Sequence, residues 1–159
     1  MRAGRPTPSS RAVEGVCELN KRKVRLFVEA VWNEGRLDLI DELVANDYVG
    51  RIPCLEHAVL GPQGVRRFVS GRRRAYPDLH IKIEDQIAEE DRVVTRWHAT
   101  ITAAAAAADS SPTGRTPCYA GISISRLLAG KQVDSHTQYT SLIPDTTSNP
   151  VNETGIGAH

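Results

Sequence analysis

The stretch RVVTRWHATIT, residues 92–102, is β-branched and aromatic, and it carries Arg96 and His98 two positions apart. Side chains two apart on a strand share a face, so a guanidinium and an imidazole stand together. An imidazole with an ordinary pKa of about 6.5 gives and takes a proton near neutrality, and a cation beside it can orient a substrate. Two plainer readings stay open: Arg96 in an ion pair with Asp85, and His98 as a satisfied strand histidine. Further hydroxyls recur at every second position: Tyr119, Ser123 and Ser125, then Ser135, Thr137 and Tyr139. Asp134 and His136 lie on the opposite face of that last stretch and form an alternative acid/base pair. Trp97 is read as core or interface. The sequence has no glycine-rich phosphate loop, no serine-nucleophile motif and no cluster with metal-ligand spacing, so no metal site is expected.

The elements that position these residues follow from periodicity. Val24, Phe27, Val28 and Val31 recur at helical spacing and predict a helix over about 18–33, ended near Gly35. A second helix is expected over 37–45 with Leu37, Ile40, Leu43 and Val44 inward, then a short strand from Tyr48 to Ile52. A third helix over 62–76 turns Val65, Phe68, Val69 and Tyr76 to one side and stops at Pro77. After Pro77 the period changes to two. Strands are expected over 79–88, 92–102, 115–128 and 132–143, with hairpin turns at Glu89-Glu90-Asp91 and Ala129-Gly130-Lys131. The order predicts an α+β domain with an antiparallel sheet.

The chain has 159 residues, 40% apolar and 25% charged, with a net charge of +1. That length fits one domain, expected over 16–143 between flexible tails at 1–15 and 144–159. The composition excludes a disordered or collagen-like chain. No stretch approaches the roughly 20 apolar residues of a membrane helix, and no apolar segment follows the basic N-terminal residues to make a secretory signal. Three widely spaced cysteines, Cys17, Cys54 and Cys118, read as reduced thiols of a cytoplasmic protein. The sequon at Asn152 reads as accidental in that setting. Five arginines within RRFVSGRRR, residues 66–74, are read as a solvated helix face, and nucleic-acid binding is not expected. The six alanines at 103–108 fit neither a strand nor a stable helix.

Several blocks carry a family resemblance. VWNEGRLDLIDELVANDYV (31–49), GPQGVRRFVSGRRRAYPDL (61–79), IEDQIAEEDRVVTRW (83–97) and SPTGRTPCYAGISISRLLAGKQVD (111–134) resemble, in order and spacing, the SnoaL-like polyketide cyclases of the nuclear-transport-factor-2-like superfamily. The resemblance implies a cone-shaped curved antiparallel sheet wrapped by three N-terminal helices around an apolar cavity. It implies an enzyme that cyclises or rearranges a small polyketide-like hydrophobic molecule in secondary metabolism such as antibiotic biosynthesis. The alternatives are a catalytically silent binding or accessory protein, and a hydroxylase- or epoxide-hydrolase-type relative. No cofactor is implied, because the substrate is itself a carbon acid. The family's usual histidine and aspartate positions hold Ala103 and Thr137 here, Ser123 stands where an acid or histidine is common, and Arg51 replaces a further histidine. By analogy His98 and Arg96 become the catalytic candidates and point with Thr137 into the cavity. Arg51, Tyr119, Ser123, Thr137 and Tyr139 become the substrate contacts. A homodimer or higher oligomer is expected on the outer sheet face, over Ile122, Ile124, Trp97 and Ile101, with no membrane partner.

Overall fold

The computed structural model describes residues 8–53, 55–102 and 115–142. The alanine run, Cys54, the Asn152 sequon and the C-terminal segment lie outside the described residues.

Helix α1 (Pro8–Leu26) continues into a π-helical segment, Phe27–Asn33, in which the Glu34 amide bonds back to the Glu29 carbonyl at 3.1 Å. The helix starts well before residue 18. A proline at the first position is pre-set for helix entry, and part of the expected tail is helical. Gly35, at φ +74°, turns the chain out of the helix. The expected second helix is only a 3-10 turn, Leu37–Leu39, plus α2 (Ile40–Leu43). Val44 is already extended, because the β-branched Val44 and the Asn46-Asp47 pair favour leaving a helix. Strand β1 (Val44–Arg51) therefore begins four residues early. A two-residue strand, β2 (Val59–Leu60), leads into α3 (Gly61–Ala75).

Strands β3 (His80–Glu89), β4 (Arg92–Thr102), β5 (Arg115–Leu128) and β6 (Lys131–Ser141) form the expected antiparallel meander. Positive φ at Ala129 and Gly130 makes the two-residue turn between β5 and β6, and Glu90 has positive φ at the β3–β4 turn. The whole sheet has six strands in the order β2-β1-β6-β5-β4-β3 and is curved and unclosed. One pairing departs from the antiparallel expectation: β1 runs parallel to β6, with Val49 opposite Asp134 and Gly50 opposite Ser135.

Core packing joins the two halves. Val31, Ile40, Leu43, Val44, Val65 and Val69 are buried together under β1, and Leu79, Ala99, Ile101 and Cys118 form a second cluster on the sheet. Arg73 ties α3 to the π-helical end, donating to the carbonyls of Trp32 at 2.6 Å and Asn33 at 2.8 Å. Arg66 pairs with Asp41. Two of the five clustered arginines thus hold the fold together, as the solvated-face reading only partly anticipates. Among the described residues, no helix is long and apolar enough to cross a membrane.

Candidate functional site

Between the helices and the concave sheet face lies a cavity of about 160 Å³. Its helical wall is Phe27, Val28 and Trp32 from the first helix and Val65, Phe68, Val69, Arg72 and Tyr76 from α3. Phe27, Val28, Val65, Phe68, Val69 and Tyr76 belong to the stripes that helical spacing predicts, and Trp32 and Arg72 join them. Trp32 and Phe68 meet edge to face at 5.7 Å.

The sheet wall follows from register. Thr95 pairs with Ser123 and Ser123 with Thr137, and Trp97 pairs with Gly121 and Gly121 with Tyr139. Paired residues share a face, so Thr95, Trp97, Tyr119, Ser123, Thr137 and Tyr139 line the cavity together. Gly121 leaves the space that the Trp97 indole fills: a Cβ there would lie 2.5 Å from the ring. The indole N–H donates to Ser123 Oγ at 3.0 Å, and Ser123 Oγ lies 3.0 Å from Thr137 Oγ1. Tyr139 packs against Trp97 and, edge to face at 5.4 Å, against Tyr119. Deeper, Tyr48 OH and Ser135 Oγ share a buried hydrogen bond of 2.6 Å, and burial pushes the Tyr48 phenol up from its ordinary value.

Four of the expected substrate contacts, Tyr119, Ser123, Thr137 and Tyr139, are therefore brought together in the cavity. The catalytic pair is not. Arg96 and His98 lie on the other face of β4, away from the cavity. The Arg96 guanidinium holds Asp85 at 3.0–3.3 Å and is kept protonated chiefly by that hydrogen bond, the anion's field adding to it. His98 Nδ1 lies 2.5 Å from Glu84 Oε1. The cause is strand alternation, since Trp97 and Ala99 face the cavity and Arg96 and His98 alternate with them; on β3 the register shifts between Ile83 and Asp85. Such a bulge sets two residues against one, and here Glu84 and Asp85 both meet β4 on its outer side, Glu84 at His98 and Asp85 at Arg96. Arg51 also faces away and bridges to Asp134 at 2.9 Å. Asp134 and His136 flank the inward Ser135 and so stand on the outer face.

Trp97, Ala99, Arg72, Tyr76 and Tyr48 are cavity residues that the sequence reading did not assign to the site. The signal for the first two was present: Val93, Trp97, Ala99 and Ile101 alternate as the apolar face of β4, and apolar faces turn inward. For the same reason Trp97 and Ile101 do not belong to the outer stripe. Ile101 is 1% exposed, whereas Ile122 and Ile124 are exposed as expected and are joined by Ile87 at 70%.

The comparisons agree with this architecture. A family model described as SnoaL-like polyketide cyclase matches residues 22–142. Among solved structures, IdmH of Streptomyces antibioticus, a candidate polyketide cyclase, superposes with a TM-score of 0.63 at 25% identity, covering 76% of this chain and 91% of that one. AclR of Streptomyces galilaeus, a candidate hydroxylase, gives 0.60 at 25% identity over 77% and 79% of the two chains. A candidate SnoaL-like polyketide cyclase from Jannaschia sp. CCS1 gives 0.64 at 16% identity over 86% and 91%. No curated protein matches the chain in sequence.

Proposed function

Since this chain belongs to the SnoaL-like polyketide cyclase family, we propose that it binds a small hydrophobic polyketide-like molecule in the cavity and promotes its rearrangement by steadying the enolate left when water takes the proton from the ligand's acidic carbon and later returns it. The observation that carries this reading is the linked Trp97–Ser123–Thr137 group on the cavity's sheet wall. Each hydroxyl owns one O–H. The indole N–H is spent on Ser123, and one hydroxyl hydrogen joins Ser123 to Thr137. Whichever way that bond runs, the remaining O–H is available to an oxygen of the ligand. Tyr119 and Tyr139 add phenol donors beside it. Burial, and next the hydrogen bond with Tyr76, raise Tyr119 above the ordinary phenol value, so it stays a donor at neutral pH. Donors aimed at developing negative charge stabilise an enolate without any cofactor, because the substrate supplies the acidic carbon.

The test is a screen of small aromatic polyketides by thermal shift, in which a ligand at a hundred times its Kd adds about 2.7 kcal/mol of stability. On a substrate so found, Ser123→Ala combined with Thr137→Val should lower turnover by roughly 10²–10³, the share of an oxyanion donor. Undiminished turnover would remove the hydroxyl pair from the reaction. His98→Ala should leave ligand affinity within about one kcal/mol, the size of one neutral hydrogen bond, because His98 is engaged with Glu84 on the other face.

A second reading, a catalytically silent binding protein of the same fold, is favoured by one observation: the expected acid/base pair is held outside the cavity by Glu84 and Asp85. Saturable binding of a ligand that is recovered chemically unchanged would select it. In either case the outer face is expected to pair two copies. Ile87 on β3, Val94 on β4 and Ile124 on β5 are opposite one another in register, beside Ile122, and apolar patches of that kind mark interfaces. Ile124→Lys should convert a dimer to monomer by light scattering, and a wild-type monomer at micromolar concentration would refute it.

A further inference from the structure

Arg72 is the charged residue of the cavity lining. Arg72 follows Val65, Phe68 and Val69 on the inward stripe of α3 and is half-buried, its guanidinium 5.4 Å from the centre of the Phe68 ring. Its neighbours in the sequence have other places. Arg73 reaches back to two backbone carbonyls, Arg66 pairs with Asp41, and Arg67 and Arg74 are exposed. Arg72 makes no ion pair with the described carboxylates. Asp78, two residues beyond Tyr76, acts on the buried Cys118 and has a partner of its own. The cavity wall among the described residues therefore carries charge of one sign only. Withdrawing a guanidinium from water without an anion is costly, and a bound anion offsets that cost. Beside it on the cavity wall stand two phenols, Tyr76 and Tyr119, both packed against the cluster of Leu79, Ala99, Ile101 and Cys118.

Resting on the reading that the cavity is a ligand site, we propose that Arg72, Tyr76 and Tyr119 form an anion subsite, so that the ligand is a small ring compound bearing a carboxylate. A planar guanidinium matches a carboxylate in a two-point contact. A dianionic phosphate would leave one charge unbalanced against a single cation. The volume agrees with a ring of modest size, since an apolar cavity of about 150 Å³ takes benzene, and anything larger extends out of the cavity.

Both tryptophans of the chain, Trp32 and Trp97, line the cavity, so their fluorescence reports occupancy. Phenylacetate, methyl phenylacetate and phenyl phosphate are titrated into the full chain. Phenylacetate is expected to bind at least about tenfold more tightly than the ester and than the phosphate. Arg72→Gln should erase the preference for acid over ester while leaving the ester's affinity unchanged, and Arg72→Lys should retain part of it. Equal affinity of acid and ester in the wild type, or a preference that survives Arg72→Gln, overturns the subsite and leaves the cavity a ligand site for neutral molecules. A tighter grip on the phosphate overturns the carboxylate assignment. No fluorescence response to any of the three probes overturns the ligand-site reading and the subsite with it.

Discussion

Gly121→Val is expected to lower the melting temperature by roughly 6–12 °C, from overpacking of about 3 kcal/mol at about 2–4 °C per kcal/mol for a chain of this size. Gly121 does not need glycine for its backbone angles. It needs glycine for space. A Cβ would lie 2.5 Å from Trp97 Cζ2 and 2.7 Å from the Gln138 carbonyl oxygen. The first obstacle is a rigid ring held by its bond to Ser123. The second is backbone of β6, which cannot retreat without opening the β5–β6 ladder. Alanine brings the same Cβ, and valine adds two methyls. Because Trp97 forms part of the cavity wall, the fluorescence response to ligand should disappear together with the stability. A melting temperature within about 2 °C of wild type would show that the indole can move aside and that the wall is softer than described.

Ile40→Ala is expected to cost about 2–5 kcal/mol, the range for deleting a buried large aliphatic side chain. Ile40 is 0% exposed and packs with Val31, Leu43, Val65 and Val69. It sits on the single α-helical turn joining the first helix to β1, so its cavity is enclosed from both sides and collapses poorly. Leu60, 62% exposed, supplies the control. Leu60→Ala should stay within about 0.5 kcal/mol. Urea denaturation with unchanged m measures both. A loss under about 1 kcal/mol for Ile40→Ala would mean that the core of the helical half is loosely filled.

The strand boundaries after Pro77 were legible almost to the residue, because two-residue alternation and Glu90 or Ala129-Gly130 turns are local signals. The helical stripes were equally legible, since Phe27, Phe68, Val69 and Tyr76 need only helical spacing to be grouped. Other features were not. The β1–β6 pairing depends on chain segments far apart and leaves no local trace. The early start of α1 was hidden by proline and serine, which signal a helix entry as readily as a tail. On β4 the analogy with relatives points Arg96 and His98 inward, whereas the structure turns Trp97 and Ala99 there. The hydrophobic alternation of Trp97, Ala99 and Ile101 pointed against the analogy and was right. The bulge at Glu84-Asp85, which supplies Arg96 and His98 with partners, could not be read from alternation alone.

The parallel contact between β1 and β6 also sets the order in which the molecule can be made. Tyr48 and Ser135 hydrogen-bond across 87 residues of chain, while the hairpins from β3 to β6 close as each strand leaves the ribosome. During synthesis the first half therefore waits. Ile40, Leu43, Val65 and Val69 have made their helices but have no sheet to cover, and the β1 edge has no neighbour but two-residue β2. Only when Lys131 onward has emerged can β6 accept β1 and close the helices over the concave face. Long-range pairings of this kind are slow and leave apolar surface open to aggregation. The cavity, walled by both halves, is thus the last part of the protein to form.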